Sequence, residues 1–198
     1  MADINHVMVD LETLGTVPGC VGFSIGAVEF FPLKGTLGRE FYSTVDVESC
    51  LDKFLWEEAS TREWWNHPDR ANARGALDHA ESGTAPKLTD VMQDLNKFLL
   101  GIGGMRSLRI YGNGADFDNP ILRVMWHMAD VDMLGSKAGF FGGRCYRTLK
   151  SLDELLGPEF KFDKIERTGT YHNALDDAKN QALHLMANLR RIRSSMDL

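Results

Sequence analysis

Three short acidic signatures are spread along this chain. The first is an Asp-x-Glu pair that closes an apolar run, the second is an apolar run that ends in Phe-Asp, and the third is a His-Asn-Ala-Leu-Asp-Asp-Ala sequence that opens an amphipathic segment. An Asp and a Glu two residues apart on a strand project from the same face. If the fold brings the other two signatures to that face, four carboxylates and one histidine share a site. These residues are Asp10, Glu12, Asp118, Asp177 and His172.

Four carboxylates in one place need a cation, because like charges this close cannot all stay ionised without one. Their hard oxygen atoms suit Mg²⁺ or Mn²⁺ better than Zn²⁺. A pair of such ions commonly promotes phosphodiester cleavage. We therefore predict a site for two divalent metal ions, Mg²⁺ or Mn²⁺, with these ligands: Asp10, Glu12, Asp118 and Asp177.

Each signature taken alone also has an ordinary structural interpretation. An Asp-x-Glu pair after an apolar run is common at a solvated strand end. A Phe-Asp pair between a strand and a helix often supplies only a helix cap. Acidic residues in the first turn of a helix complement its macrodipole, and a single histidine before them is usually structural. The occurrence of all three signatures, in order, favours the metal site.

The order and composition of these signatures resemble the DEDDh exonucleases, the superfamily of polymerase proofreading subunits, RNase T and oligoribonuclease. The first motif of that superfamily is Asp-x-Glu, which Asp10 and Glu12 match. The second motif ends in Phe-Asp, which Phe117 and Asp118 match. The third motif is His-x-Ala-x-x-Asp-Ala, which residues 172–178 match at every specified position.

The resemblance extends from residue 5 to about residue 190. The second motif departs from the commoner His-Asn-x-x-Phe-Asp, because Asn113 and Gly114 replace the first pair, but Asp118 stays in place. Asp116 is the natural substitute if Asp118 is not the ligand. The resemblance implies an α/β fold of the RNase H-like type, with a mixed central β-sheet flanked by α-helices. It also implies one exonuclease domain over residues 1–198.

The activity implied by this resemblance is metal-dependent 3′-5′ exonuclease cleavage. The substrate would be a single-stranded nucleic acid with a free 3′ end, and the products nucleoside 5′-monophosphates. Asp10 would bridge the two ions, while Glu12 and Asp177 complete the site that holds the attacking water. Asp118 would anchor the second ion. His172 would be the general base, since its ordinary pKa of about 6.5 suits proton removal near neutral pH.

Several residues are expected to contact the substrate. The resemblance places Thr13 and Leu14, just after the first motif, against the terminal nucleotide, and Asn113 and Phe117 of the second motif are also candidates. Asp176, next to the proposed ligand, is predicted to be exposed and dispensable.

Two further segments resemble phage and prophage exodeoxyribonucleases of this superfamily and, more loosely, RNase T-like exoribonucleases. One contains Trp64 and Trp65, and the other contains Arg144 and Arg147. Aromatic rings stack on bases and arginines bind phosphates, so all four are candidate substrate contacts. The alternatives are core packing for the tryptophans, since helical neighbours point about 100° apart, and structural ion pairs for the arginines.

The phage-like segments favour DNA as the substrate, and an RNase T-like 3′-5′ exoribonuclease is the alternative. Contact with a 2′-hydroxyl would distinguish the two, and the sequence does not reveal one. A third interpretation is a non-catalytic nucleic-acid-binding module on the same scaffold. The complete set of four carboxylates and one histidine favours an enzyme over that module.

The composition is that of a water-soluble chain that can form a core. The chain has 198 residues, 43% of them hydrophobic, and no apolar run approaches the length of about 20 residues that a bilayer requires. The N-terminus lacks the features of a signal peptide, and three cysteines without metal-ligand spacing suit a reducing compartment. We therefore predict a cytoplasmic protein that does not contact membranes. Nothing in the sequence excludes a homodimer. A net charge of −6 is unusual for a protein that binds nucleic acid. Two divalent ions would cancel the charges of the four proposed ligands, so we expect a local basic path rather than a basic protein.

Hydrophobic periodicity predicts the elements that position the signatures. Residues 5–47 read as an antiparallel meander, with a second strand over 21–31 and a third over 41–47. Residues 60–100 read as helical, 107–111 as a short strand and 119–129 as a helix. In the last helix we predict one buried stripe. Its members are Leu175, Ala178, Ala182, Leu185, Leu189 and Ile192. Three arginines are expected at the solvated end of this helix: Arg190, Arg191 and Arg193.

Overall fold

The computed structural model describes residues 4–104, 106–132 and 142–196. Its described strands form one mixed sheet of five strands in the order β3-β2-β1-β4-β5. Strands β1, β2 and β3 are antiparallel neighbours, whereas β4 and β5 run parallel to β1. The strands are β1 (Asn5–Thr13), β2 (Gly22–Phe31), β3 (Thr36–Thr44), β4 (Leu108–Gly112) and β5 (Gly143–Cys145). The mixed sheet of the predicted RNase H-like fold is therefore present.

Helices cover both faces of this sheet. They are α1 (Val47–Leu51), α2 (Ala59–Asn66), α3 (Gly75–Ala80), α4 (Leu88–Ile102), α5 (Asp118–Met128), α6 (Tyr146–Lys150), α7 (Asp153–Leu156) and α8 (Ala174–Ser195), with 3-10 turns at Pro68–Ala73 and Pro158–Phe160. Helices α1 to α5 contribute to the larger core on one face, and α6 and α8 contribute to the core on the other. No described helix combines the length and the apolar character that crossing a membrane requires.

Alternation along β1 decides which face carries the acidic residues. Val7, Val9 and Leu11 enter the larger core, whereas Met8 enters the core beneath α8. Side chains two residues apart share a face, so the even-numbered Asp10 and Glu12 lie on the α8 face with Met8.

Gly26 brings the start of α8 onto the sheet. This residue of β2 is paired with Asp10 of β1. A Cβ atom at Gly26 would lie 2.2 Å from backbone atoms of Ala174 and Leu175, the first two residues of α8. Only a glycine permits so close an approach, and the approach places the N-terminus of α8 directly above the acidic end of β1.

The structure corrects two boundaries of the sequence prediction. Strand β3 begins at Thr36 and ends at Thr44, instead of covering 41–47. It ends there because Asp46 caps α1, accepting a hydrogen bond from the backbone N–H of Ser49 over 2.8 Å. The predicted strands over 21–31 and 107–111 and the helix over 119–129 are present within one residue.

The predicted stripe of α8 is partly wrong. Leu175 and Leu189 are only half-buried. The buried face also includes Met186 and Ala174, whose backbone lies against Gly26 of the sheet. The other four predicted members are buried: Ala178, Ala182, Leu185 and Ile192.

Candidate active site

Two of the predicted acids lie beside each other on the α8 face of β1. Asp10 and Glu12 are 8% and 6% exposed. Gln181 donates a hydrogen bond from its Nε2 to Asp10 Oδ1 over 2.6 Å. Because Gln181 lies one helical turn after Asp177, this hydrogen bond ties the acidic face of α8 to the end of β1.

The third acid, Asp118, is the first residue of α5 and is 1% exposed. Its Oδ1 accepts a hydrogen bond from the backbone N–H of Leu11 over 3.1 Å, and its Oδ2 accepts one from that of Asn113 over 2.6 Å. These two bonds join the end of β4 to the end of β1. They hold the Asp118 carboxylate behind Asp10 and Glu12.

The fourth acid and the histidine come from the junction before α8. Asp177 Oδ2 accepts a hydrogen bond from the backbone N–H of His172 over 3.2 Å. His172 has a φ of 60°, in the left-handed region that residues other than glycine rarely adopt. Such strained positions are frequent at functional sites. The imidazole of His172 lies edge-on to Trp64 and Trp65, at ring-centroid distances of 5.0 and 5.9 Å.

The three signatures meet at one cavity of about 630 Å³. Glu12, His172 and Asp177 each offer a ligand atom, and these atoms lie within 4.8 Å of one another. Six other residues predicted to act at the site line the same cavity: Asp10, Thr13, Trp64, Trp65, Asn113 and Phe117.

The acids repel each other strongly in this buried position. Burial, followed by the charges of Asp118 and Glu12, raises the pKa of Asp10 well above its ordinary value. Burial and the charge of Asp118 raise the pKa of Glu12 to about 8. Burial also raises the pKa of Asp118 to about 6, although hydrogen bonds from Asn113 and Leu11 oppose the change. The protein alone therefore does not supply enough positive charge to ionise all of these groups.

A divalent cation fits this arrangement. The donor set consists of hard carboxylate oxygens and one imidazole, which suits Mg²⁺ or Mn²⁺. Within the described part of the chain, the buried Oε1 of Glu12 accepts no hydrogen bond, so it is available to a cation.

We predict that the metal-free protein loses stability as the pH rises. A Glu12 pKa of about 8 exceeds the ordinary value of 4.5, so the folded state binds the proton more tightly than the unfolded state. The contribution is fully present below about pH 4.5 and is lost as the pH rises through about 8. Glu12→Gln should therefore raise the free energy of unfolding at pH 8.5 by about 1 to 3 kcal/mol, measured by urea denaturation in EDTA.

Glu63→Gln is the matched control, because Glu63 is exposed on α2. This control should keep the pH dependence of the parent protein. A pH dependence that survives in Glu12→Gln but disappears in Glu63→Gln would contradict the prediction.

The imidazole of His172 is expected to be neutral near physiological pH. Burial lowers the pKa of His172 below its ordinary value of 6.5, and the charges of Arg70 and Arg167 lower it further. A neutral imidazole can accept a proton, which is the state that a general base needs.

Comparison with known proteins identifies the family of this chain. The family model described as the 3′-5′ exoribonuclease Rv2179c-like domain matches residues 5–189. The chain belongs to this family. No curated protein matches the chain at a significant level.

Solved exonuclease structures share the fold of this Rv2179c-like chain. Exonuclease I of E. coli in complex with a dT13 oligonucleotide is 13% identical, with a TM-score of 0.65 over 98% of this chain and 42% of that chain. The nuclease domain of 3′hExo, a DEDDh family member bound to rAMP, is 11% identical, with a TM-score of 0.58 over 96% of this chain and 94% of that chain. Cell-death related nuclease 4 (CRN-4) is 14% identical, with a TM-score of 0.60 over 96% of this chain and 64% of that chain.

These likenesses confirm the RNase H-like fold of the Rv2179c-like chain. The chain covers less than two thirds of the length of CRN-4 and of exonuclease I. The predicted enzyme class, a 3′-5′ exonuclease, is confirmed by the description of the matched family. The predicted DEDDh resemblance agrees with the fold that the chain shares with 3′hExo, a DEDDh family member. The phage branch within that superfamily stays a prediction.

Three of the predicted substrate residues lie away from the cavity of the Rv2179c-like chain. Leu14 is fully buried, and its backbone N–H and C=O bond to Val21 and Glu58. Arg144 is exposed on β5 and does not line the cavity. Arg147 lines a neighbouring cavity of about 460 Å³ with Asp116.

The two tryptophans differ in their surroundings. Trp65 is 2% exposed and donates its indole N–H to the carbonyl of Thr13 over 2.9 Å, which fixes the chain just after the first motif. Trp64 is 39% exposed, and the guanidinium of Arg70 lies 4.4 Å from the centroid of its ring.

The prediction that Asp176 is exposed is wrong. Asp176 is half-buried, and its Oδ2 accepts a hydrogen bond from the backbone N–H of Thr170 over 2.8 Å. The side chain faces this way because the segment before α8 folds back over the first turn of the helix.

Sequence reasoning missed several residues that line the cavity, among them Lys150, Lys164, Arg167 and Gln181. The position of Gln181 could have been inferred, because it lies four residues after Asp177 in a predicted helix. The other three occur in short or irregular segments, whose sequence gives no periodic signal.

Proposed function

We propose that this chain shortens single-stranded nucleic acid from a free 3′ end and releases nucleoside 5′-monophosphates. The observation that carries the proposal is the meeting of all three signatures at one cavity, where ligand atoms of Glu12, His172 and Asp177 lie within 4.8 Å of one another. Asp10 lines the same cavity, and Asp118 lies directly behind it.

Two divalent ions, Mg²⁺ or Mn²⁺, would be held by the four carboxylates. When bound, such ions make hydroxide available near neutral pH and stabilise negative charge on the phosphate. Asp10 and Glu12 at the end of β1, Asp118 at the start of α5 and Asp177 in the first turn of α8 would supply the ligand oxygens.

His172 is the proposed general base. A ring nitrogen of His172 accepts a proton from the attacking water as the water oxygen bonds to phosphorus. The bond between phosphorus and the 3′ oxygen of the preceding nucleotide then breaks, and that oxygen leaves as a hydroxyl after taking up a proton. The left-handed backbone at His172 aims the imidazole at Glu12 and Asp177 rather than at solvent.

The proposed substrate path runs along the cavity that holds the acids. Lys150 and Lys164 line this cavity, and so do Trp64, Phe117 and Asn113. Lysines attract phosphates, and an exposed aromatic ring such as Trp64 stacks on bases of any sequence. This distribution explains how a chain with a net charge of −6 can bind nucleic acid.

The substrate can be RNA or DNA, which differ in their sugar. The description of the family as exoribonuclease domains supports RNA. The resemblance to phage exodeoxyribonucleases, on which the sequence prediction favoured DNA, has no support from the comparisons. Among the structural neighbours, exonuclease I was solved with dT13 and 3′hExo with rAMP.

Digestion of DNA and RNA strands of the same sequence tests the proposal. Single-stranded DNA and RNA of one sequence, labelled at the 5′ end, are incubated with Mg²⁺, Mn²⁺ or EDTA. Cleavage should require the metal ion and should favour one sugar. Equal cleavage in EDTA, or cleavage of neither strand with either metal ion, would contradict the proposed function.

A further inference from the structure

An arginine stands against one of the proposed metal ligands. Arg167 forms an ion pair with Asp177, in which the side chains are only 24% and 14% exposed. Its charge also lowers the pKa values of Asp10 and Glu12, against the stronger effect of burial. The guanidinium thus acts on three of the four proposed ligands.

The ion pair engages an oxygen atom that a metal ion would need. Arg167 binds Asp177 at Oδ1, while the backbone N–H of His172 binds Oδ2 over 3.2 Å. Both oxygens of this carboxylate are therefore engaged. A guanidinium stays charged at every pH that a protein survives, so deprotonation cannot remove it. A divalent ion that binds Asp177 Oδ1 therefore competes with a permanent positive charge at that oxygen.

The backbone that follows Arg167 is hydrogen-bonded to α8, so we expect the side chain rather than this backbone to move. Thr168 donates its N–H to Asn180 Oδ1 over 3.0 Å and accepts a hydrogen bond from Asn180 Nδ2 over 2.7 Å. Thr170 donates its N–H to Asp176 over 2.8 Å. The displaced guanidinium therefore stays at the cavity.

The guanidinium of Arg167 already faces the cavity while it is paired with Asp177. In this conformation it lies 4.0 Å from the ring centroid of Tyr171, which is 66% exposed, and Arg167 lines the cavity. A planar guanidinium with parallel N–H donors binds phosphate in bidentate fashion.

We propose that Arg167 exchanges partners during the catalytic cycle. In the metal-free protein it neutralises Asp177, and when divalent ions take Asp177 it contacts the phosphate of the bound nucleotide. This inference rests on the proposed function, because it requires ions and a phosphate in the same cavity. Arg167 is then a substrate-positioning residue that also keeps the empty site folded.

Two binding measurements on Arg167→Gln test the exchange without relying on turnover. The first is Mn²⁺ affinity, from the electron paramagnetic resonance signal of free Mn²⁺. The variant should bind Mn²⁺ about 10-fold more tightly, since no guanidinium competes. The second is the affinity for AMP and dTMP in saturating Ca²⁺, by calorimetry. The variant should bind them about 10- to 100-fold more weakly, since a charge-assisted hydrogen bond is lost.

Arg70→Gln is the control for the loss of a nearby positive charge, because Arg70 lies on Trp64 beside His172 without an ion pair to a proposed ligand. Its Mn²⁺ affinity should change less than that of Arg167→Gln. Arg167→Lys keeps the charge but lacks the parallel donors, so it should restore Mn²⁺ affinity toward the parent value and leave nucleotide binding weak. Circular dichroism establishes that each variant is folded.

Unchanged or weaker Mn²⁺ binding in Arg167→Gln would overturn the exchange. Tighter Mn²⁺ binding with unchanged nucleotide affinity would overturn it as well, since Arg167 would then be only a counter-ion. If the parent protein binds Mn²⁺ and digests single strands, these outcomes leave the proposed function intact. A parent protein that binds no Mn²⁺ at millimolar concentration would overturn both.

Discussion

Asp118→Ala is expected to lower nuclease activity by about 10³-fold or more while the protein stays folded. Asp118 is 1% exposed and its pKa is raised to about 6 mainly by burial, so it already carries an unfavourable charge that the fold tolerates. Loss of this carboxylate removes a proposed metal ligand and also frees two backbone amides. Turnover of a labelled single strand, measured with Mg²⁺, checks the result.

Asp116→Ala is the matched control, because Asp116 is an exposed acid two residues away. It should keep nearly full activity. Full activity in Asp118→Ala, combined with its loss in Asp116→Ala, would transfer the role of metal ligand to Asp116. The same comparison can be made at α8. Asp177→Ala should be inactive. Asp176→Asn should be active, because its amide oxygen still accepts the hydrogen bond from the Thr170 N–H.

His172→Ala is expected to lower the turnover number by about 10²- to 10⁴-fold, the usual cost of losing a general base. Mn²⁺ affinity should change little, because the histidine acts on the attacking water. In the parent protein the base must be neutral, so activity should be lost as the pH falls through a value below 6.5. In the variant this acidic limb of the pH–rate profile should disappear.

His127→Ala controls for the loss of an imidazole, since His127 is exposed at the end of α5. It should retain both the turnover number and the acidic limb. Unchanged turnover in His172→Ala would mean that the imidazole only packs against Trp64 and Trp65 at the start of α8.

The sequence predicted site residues well where their positions depend on short local patterns. Asp10 and Glu12 share a face because a strand alternates, and Asp118 and Asp177 could be placed at helix starts from the residues around them. Their convergence on one site was expected only from the resemblance to a family. This convergence depends on Gly26, whose lack of a side chain lets α8 lie on β2. No local sequence pattern predicts that contact.

The errors have physical causes in long-range contacts. Leu14 follows the first motif directly, but its backbone bonds to Val21 and Glu58 turn it into the core. Trp64 and Trp65 are identical in type, yet Trp65 is buried beneath Thr13 and Trp64 is exposed. Arg167 lies in an irregular segment, and its ion pair with Asp177 depends on the folding of that segment over α8.

Digestion of linear and circular forms of one single strand tests the central claim most directly. A site that combines a strand end, a strand-to-helix turn and a helix start is a compact pocket for one terminus. We predict that the 5′-labelled linear strand gives a descending ladder with nucleoside 5′-monophosphates as the small products. We also predict that a 3′-phosphate blocks the reaction and that the circular strand is not cut. Cleavage of the circular strand at a rate comparable to the linear one would contradict the exonuclease assignment.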